Sequence, residues 1–199
     1  MKKLRIWETA LLISLSVTLL AGAWAAAAEG RLASSLVRLH VIAADNSAPE
    51  QAIKLEVRDS VLEYLEPKLE SAASAAGARE IIASELEGIA SAAERSARGR
   101  AVTVTLGEEY YPTREYESFS LPAGRYQSLR VTLGEGEGRN WWCVVFPPLC
   151  LAAAEEESAF ESLDDGSREI ITESARGVTF KFRLLELWGE LLALLGSHD

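Results

Sequence analysis

His40, Cys143 and Cys150 carry side chains that could do chemistry in this 199-residue chain. A cysteine thiol beside a histidine base is the arrangement of a thiol hydrolase, so Cys143 with His40 is one candidate active site. No pattern identifies a base beside Cys143 or a partner that orients His40. A histidine between Leu39 and Val41 on a strand is also more often packed than catalytic. A structural role for His40 therefore competes with the catalytic one.

Neither a metal site nor a phosphate site is predicted. The sequence has two cysteines and two histidines, and their spacing fits no usual zinc pattern. The alternating Gly134, Gly136 and Gly138 could suggest a phosphate cradle. However, Glu135 and Glu137 lie where an anion would bind, and no helix start follows. We expect no cofactor.

An aromatic and proline-rich segment follows these glycines. Strand alternation would point Trp141 and Trp142 to opposite faces, with one in the core and the other at the surface. Together with Phe146, Pro147 and Pro148 they form a candidate partner-binding surface, because aromatic anchors beside a stiff turn are typical of interfaces.

The first 28 residues have the composition of an export segment. A basic start precedes the apolar stretch 10–20, and Ala23-Trp24-Ala25 fits a cleavage site. An uncleaved membrane anchor is the alternative, because no charge occurs between Glu8 and Glu29. In either case residues 30–199 are expected outside the cytoplasm.

Export makes a disulfide between Cys143 and Cys150 possible, since disulfides persist outside the cytoplasm. The chain would have to turn back between the two cysteines, and Pro147-Pro148 is where it can. Two buried free thiols are the alternative. The net charge of −10 argues against binding to nucleic acid or to an anionic membrane surface. Membrane contact is expected only through the export segment.

Hydrophobic periodicity predicts an α+β domain over residues 34–151. Residues 36–43 form a strand buried on both faces, and Ser47-Ala-Pro-Glu50 predicts a capping box for a first helix that Pro67 ends or kinks. A second helix is expected over 78–97. Three further strands, at 102–106, 113–121 and 125–133, and the Trp141-Trp142 strand would make a mostly antiparallel meander, with both helices packed on one face.

The C-terminal quarter is predicted to be an appendage to this domain. Residues 152–177 are an acidic linker, because acidic side chains greatly outnumber basic ones at its start. Alternating apolar residues then predict a strand and a helix over 178–195 that return to the domain.

Several motifs together resemble stage II sporulation protein R, a family of secreted signalling proteins of endospore formers. The resemblance runs from Leu36 to Leu151, and its most specific part is Asn-Trp-Trp-Cys-Val-x-Phe-Pro-Pro-Leu-Cys, ending at Cys150. Arg38-Leu-His-Val-Ile-Ala43 and Lys54-Leu-Glu-Val-Arg-Asp-Ser-Val-Leu62 resemble the family's N-terminal signature. The loop after the strand departs from it, because this chain has Ala44-Asp45-Asn46-Ser47 where the family commonly has Asn-Ser-Asp. His40, Asp45 and Asn46 are therefore candidate signature residues.

The resemblance implies that the chain is made in the forespore and secreted into the space between the forespore and mother-cell membranes. There it would activate a membrane-embedded aspartic protease of the mother cell, which processes the precursor of sigma factor E. The chain itself would not be an enzyme. An exported thiol hydrolase and a cell-envelope structural protein are the competing functions.

Overall fold

The computed structural model describes residues 2–116 and 119–149. The predicted acidic linker (152–177) and the predicted C-terminal strand and helix (178–195) lie outside these residues. In chain order the elements are α1 (Lys2–Ser34), β1 (Val37–Ile42), α2 (Ala48–Leu69), α3 (Ala75–Ser84), α4 (Leu86–Ser96), β2 (Val102–Tyr111), β3 (Arg114–Glu115), β4 (Ser120–Leu121), β5 (Gly124–Leu133) and β6 (Asn140–Phe146).

The main sheet has the strand order β2-β5-β1-β6, and the α+β class is confirmed. The antiparallel meander is wrong, because β1 lies between β5 and β6 and runs parallel to β5. All six residues of β1 are buried. A strand with apolar residues on both faces suits a central position with two neighbours, so β1 separates strands that are consecutive in sequence.

The main core lies on one face of the sheet. Strand alternation places Val37, Leu39 and Val41 on this face, where they share one cluster with residues of α2, α3 and α4. The α2 residues in the cluster are Ile53, Val57, Val61, Leu65 and Leu69. Their regular spacing of four residues forms the apolar stripe of an amphipathic helix. This surface is called the helix-covered face below.

The second predicted helix, 78–97, is two helices. It starts at Ala75, where Ser74 caps it by accepting a hydrogen bond from the Gly77 amide at 3.2 Å. It breaks at Glu85, whose φ of −107° and ψ of 8° are not helical. The Glu85 carboxylate accepts hydrogen bonds from Tyr64 and Lys68 of α2. These long-range bonds accompany the break, and hydrophobic periodicity does not report them.

The predicted capping box at the start of α2 is also absent. The Ser47 side chain makes no cap bond. Asp45 Oδ1 instead accepts a hydrogen bond from the Ser47 amide at 2.7 Å. Glu50 is bound by Arg100, which follows α4. A salt bridge from a distant segment has therefore replaced the local capping bond. Pro67 lies inside α2, which continues to Leu69.

The opposite face of the sheet is covered by short segments of the chain rather than by long helices. The strand predicted over 113–121 is only the pair β3 and β4, which forms a separate two-stranded sheet. A second apolar cluster joins this region to the end of α1, through Leu32, and to Leu149. Residues 5–24 of α1 are exposed, whereas Ala28 and Leu32 are buried in the domain.

Candidate functional site: the polar–aromatic face

Strand alternation places polar and aromatic side chains on the sheet face opposite the helices. Arg38 and His40 lie on this face because Leu39, between them, points to the helix-covered face. The face also receives side chains from β2, β3, β5, β6 and the segment after β3. We call it the polar–aromatic face, and its members are Arg38, His40, Glu109, Tyr111, Arg114, Tyr116, Tyr126, Ser128 and Trp142.

His40 is held by a carboxylate. Its Nδ1 donates to both oxygens of Glu109, at 2.9 and 3.0 Å. Ser128 Oγ donates to the same carboxylate at 2.8 Å and is hydrogen-bonded to the Tyr111 hydroxyl at 2.6 Å. Within the part of the chain that the structure describes, the buried Nε2 of His40 has no hydrogen-bond partner. A glutamate that orients a histidine is the arrangement of a general base.

The charge on Glu109 is stabilised by its neighbours. Burial alone would raise the pKa of Glu109, but the hydrogen bond from His40, with help from Ser128 and Arg130, outweighs burial and lowers it. Burial raises the pKa of Tyr111, so its hydroxyl stays protonated at neutral pH. The network is therefore one carboxylate that accepts hydrogen bonds from neutral or cationic donors.

Arg38 is completely buried, with 0% of its surface exposed. Its guanidinium lies over two aromatic rings, with Cζ 3.9 Å from the Tyr111 centroid and 5.0 Å from the Tyr126 centroid. Nη2 donates to the Tyr116 hydroxyl at 2.6 Å. Among residues 2–116 and 119–149, Nε and Nη1 of Arg38 have no acceptor. A buried arginine that is so incompletely paired is unusual and calls for an explanation.

Trp141 and Trp142 lie on opposite faces, as strand alternation predicts. Trp142 is half-buried on the polar–aromatic face, with Arg114 Cζ 3.5 Å from its ring centroid and the His40 ring at 5.4 Å. Trp141 lies on the other side and is 37% exposed. The guanidinium of Arg58, on α2, lies over its ring, with Cζ 4.4 Å from the ring centroid. Each tryptophan is thus covered by one arginine.

The rest of the predicted partner-binding surface is unevenly exposed. Phe146 is half-buried against the main core, and Pro147 is buried after a cis peptide bond. Pro148 is exposed, and Leu149 is buried with the second cluster. Of the five predicted residues, Trp141 and Pro148 are exposed enough to be contacted directly, and the others support them.

Cys143 does not meet His40. The β1–β6 register pairs Cys143 with Leu39 and pairs His40 with Trp142. Cys143 therefore lies in the helix-covered core, on the face opposite His40. Cys143 is also disulfide-bonded, so it is not a thiol nucleophile. The proposed hydrolase pair is not formed. Cys150 lies outside the described residues, and its bond to Cys143 stays a prediction from the sequence.

The predicted signature loop, 44–47, is hydrogen-bonded to the glycine-rich loop, 134–139, between β5 and β6. Asn46 Oδ1 accepts a hydrogen bond from the Arg139 amide at 2.9 Å, and the Gly138 amide donates to the Ala43 carbonyl at 2.9 Å. A Cβ at Gly138 would lie 2.3 Å from the Asp45 carbonyl oxygen, so only glycine fits without a shift.

The three predicted signature residues thus make separate contacts. Hydrogen bonds from Ser47 lower the pKa of Asp45, so its carboxylate stays ionised and stabilises the turn before α2. Asn46 binds the glycine-rich loop, and His40 binds Glu109 on β2. Asp45 and Asn46 have structural roles in one loop pair, whereas His40 belongs to the polar–aromatic face.

Arg38, Glu109 and Arg114 were not predicted as site residues from the sequence. One signal was available for Arg38, because Arg38 and His40 alternate with aliphatic residues on a strand otherwise suited to burial. Glu109 gave no comparable signal, since its contact with His40 depends on β5 lying between β1 and β2, and Arg114 lies on β3 in the separate two-stranded sheet. No cluster of three or more metal-ligating side chains occurs in the described ranges.

Residues 33–156 match the family model described as stage II sporulation protein R. The chain belongs to this family. The protein named Stage II sporulation protein R from Bacillus subtilis (strain 168) is 32% identical over 133 residues, which are 65% of this chain and 59% of that relative. The chain thus covers less than two thirds of this curated relative. No solved structure matches the chain.

The family match includes every element from β1 to β6, and therefore both faces of the sheet. It begins within the last turn of α1. The apolar part of that helix precedes the match, and over Arg5–Ser34 the helix is long and apolar enough to cross a membrane. A signal sequence has the same properties. The chain is therefore a sporulation protein with an apolar N-terminal helix ahead of its family domain.

Proposed function

We propose that this chain is an exported sporulation signal. It acts from the space between the forespore and mother-cell membranes, where it activates a membrane-embedded aspartic protease of the mother cell. That protease then cleaves the precursor of sigma factor E. The observation that carries this proposal is the family match over residues 33–156, which starts where the exposed apolar helix enters the folded domain.

The division of the chain supports an extracytoplasmic place for the domain. Residues 5–24 of α1 are exposed, and they include the large apolar side chains of Trp7, Leu11, Leu20 and Trp24. So long an exposed apolar helix suits a membrane or the export machinery better than water. The basic residues lie at its start, which favours a cytoplasmic N-terminus and a domain on the far side.

Activation by binding requires that the signal bind the active state of the protease more tightly than the inactive state. In this proposal the active state is a dimer. The Trp141 side of β6 is the surface we assign to this contact. Trp141 combines an exposed aromatic ring with the guanidinium of Arg58, and the exposed Pro148 lies beyond the end of the same strand. Tryptophan and arginine are enriched among residues that dominate binding energy.

The test is reconstitution in a bacterium that does not sporulate. The full chain is produced together with the protease and the sigma factor E precursor, and cleavage of the precursor is followed by immunoblot. We expect cleavage with the full chain and none with a variant that lacks residues 2–28 and stays in the cytoplasm. A protease whose catalytic aspartate is replaced by asparagine is the second control.

Two results would contradict the proposal. Cleavage to the same extent without this chain would show that it is not the activator. Equal cleavage by the variant lacking residues 2–28 would show that action from outside the cytoplasm is not required. Trp141→Leu tests the proposed contact surface in the same cells and should reduce cleavage of the precursor. Secretion of this variant and of the wild-type chain must be measured as well, so that loss of signal is not mistaken for loss of protein.

A further inference from the structure

The buried guanidinium of Arg38 has few oxygen acceptors. Its Cζ lies 3.9 Å from the Tyr111 ring centroid and 5.0 Å from the Tyr126 ring centroid, and these two rings meet edge to face. Aromatic rings stabilise the charge, but they are much weaker acceptors of N–H bonds than oxygen atoms are. Within the described ranges the Tyr116 hydroxyl accepts from Nη2, whereas Nε and Nη1 have no acceptor. Leaving buried donors unsatisfied destabilises the folded state.

A second arginine on the polar–aromatic face has the same deficiency. The guanidinium of Arg114 covers the ring of Trp142, and its buried Nε has no acceptor in residues 2–116 or 119–149. Tyr116 links Arg38 to Trp142, because its hydroxyl accepts a hydrogen bond from Arg38 and donates one to the Trp142 carbonyl at 3.4 Å. Arg114 lies over the ring of the same tryptophan. Burial lowers the pKa of Arg114, and repulsion from Arg38 lowers it further, so the two charges are close enough to interact.

The carboxylate already present on this face does not compensate these charges. Glu109 accepts hydrogen bonds from His40 and Ser128 and forms an ion pair with Arg130 at 3.7 Å. Arg38 and Arg114 are thus an excess of positive charge on the polar–aromatic face of a chain whose net charge is −10. An acidic protein that concentrates two incompletely paired arginines in one place has the chemistry of an anion-binding site.

We propose that Arg38 and Arg114 form a binding site for a carboxylate. Nη2 of Arg38 has two N–H bonds, and Tyr116 accepts one of them. The other lies beside either Nε or Nη1, which are both unpartnered in the part of the chain described. One edge of the guanidinium therefore has two parallel donors, which is the geometry that a carboxylate accepts. Arg114 adds a third donor, its buried Nε, beside the ring of Trp142. Because all these donors are buried, the carboxylate reaches them only through local opening of the polar–aromatic face.

The site takes a carboxylate from a peptide or from a small free acid, since both present the same two oxygens. It does not depend on the proposed signalling role, and its test contains no protease. The full-length chain, labelled with ¹⁵N-arginine, is dissolved in a non-ionic detergent. Arginine Nε–H signals are recorded while sodium acetate replaces sodium chloride at constant ionic strength. Arg38→Lys and Arg114→Gln assign the two signals by removing them.

We expect the Arg38 and Arg114 signals to move together and to saturate with acetate. The signal of Arg95, an exposed arginine on α4, should not show a saturable change. Arg114→Gln should raise the acetate concentration at the Arg38 midpoint about tenfold, the effect expected for one lost charge-assisted hydrogen bond. Arg95→Gln is the matched control and should leave the midpoint unchanged. Both variants must keep the wild-type circular dichroism spectrum.

A blocked peptide with one glutamate, compared with its glutamine counterpart, distinguishes the source of the carboxylate. Saturation by the glutamate peptide at lower concentration than acetate assigns the site to a protein segment, and equal concentrations assign it to a small acid. The proposal is overturned if no saturable change of the Arg38 signal occurs with either probe. It is also overturned if the glutamine peptide acts as well as the glutamate peptide, or if Arg114→Gln leaves the Arg38 midpoint unchanged.

Discussion

The two faces of the central sheet bury side chains of different kinds. The helix-covered face is filled by aliphatic residues such as Leu39, Val57 and Leu129, which are all fully buried. The polar–aromatic face buries Arg38 and His40 at 0% and 6% exposure, among tyrosines and one tryptophan. Aliphatic packing is non-directional and stabilises in proportion to area, whereas the polar face depends on particular hydrogen bonds.

This difference indicates separate roles for the two faces. Aliphatic burial is enough to hold the helices on the sheet, so no polar group is needed on that side. Burial of an arginine without a full set of acceptors costs stability. A side chain retained at such a cost is more easily explained by binding than by folding. We therefore expect the two faces to respond differently to substitution.

Leu39→Ala and Arg38→Met give the largest contrast, because these neighbours on β1 point to opposite faces. Leu39→Ala should lower the free energy of unfolding by about 2–5 kcal/mol, since it removes buried methyl groups from a packed core. Arg38→Met should change it by less than about 1 kcal/mol or raise it, since the unpaired charge is removed and the apolar stem is kept. Urea unfolding of both full-length variants measures this. An equal loss in both would mean that the two faces contribute to folding alike.

Gly138→Ala tests the loop pair at the end of the sheet. The added Cβ would meet the Asp45 backbone, so one of the two loops must shift. We expect a loss of about 1–3 kcal/mol, as for overpacking in a core. Gly107→Ala is the matched control, because a Cβ there meets nothing within 4 Å. Thermal unfolding compares the two variants. Similar melting temperatures would show that the glycine-rich loop can shift without loss of stability.

The two tryptophans sharpen the comparison from the β6 side. Trp142→Leu should cost about 1–3 kcal/mol, because it disturbs packing with His40, Tyr111 and Arg114. Trp141→Leu should change stability by less than about 0.5 kcal/mol, as expected at an exposed position, and should reduce sigma factor E precursor cleavage in the reconstituted cells. If Trp141→Leu signals normally, the contact surface lies elsewhere.

The smallest effect concerns the pH dependence of the polar–aromatic face. The pKa of Glu109 is lowered in the folded chain, so its contribution to stability is complete above the ordinary glutamate pKa of about 4.3 and is lost as pH falls through the folded value. Glu109→Gln should therefore flatten the acid side of the stability profile, measured by urea unfolding between about pH 3 and pH 7. Glu108→Gln, on the neighbouring exposed residue, should keep the wild-type profile.

Local patterns predicted much of the secondary structure but not the neighbours in space. Val37 to Ile42 is correctly predicted as a strand buried on both faces, and the apolar stripe of α2 follows the spacing of Ile53, Val57 and Val61. The break at Glu85 and the pairing of β1 with β5 depend on residues far away in sequence. Short connections favour a meander, but the insertion of β1 overrides them.

The site was less predictable than the fold for the same reason. Trp141 and Trp142 were selected by their rarity, and strand alternation correctly separates them. His40 was selected for its chemistry, but its partner Glu109 is brought within reach only by the strand order β2-β5-β1. Residue chemistry alone predicts Cys143 and His40 as a candidate pair, but the β1–β6 register places them on opposite faces.

The central position of β1 also affects when the domain can fold. Leu39 pairs with Leu129 on one side and with Cys143 on the other, and both partners are far along the chain. In the proposed export from the N-terminus, β1 would emerge first and would lack both neighbours until the last strands follow. Pairing between distant segments is slow because a long loop must close first. We predict that a chain ending at residue 123 is digested by protease as an unfolded polypeptide, whereas the full chain resists. Resistance of the shorter chain would mean that the helices and β1 fold without β5 and β6. If the chain is exported as proposed, the order of the strands would keep the polypeptide unfolded for translocation until almost the whole domain has crossed the membrane.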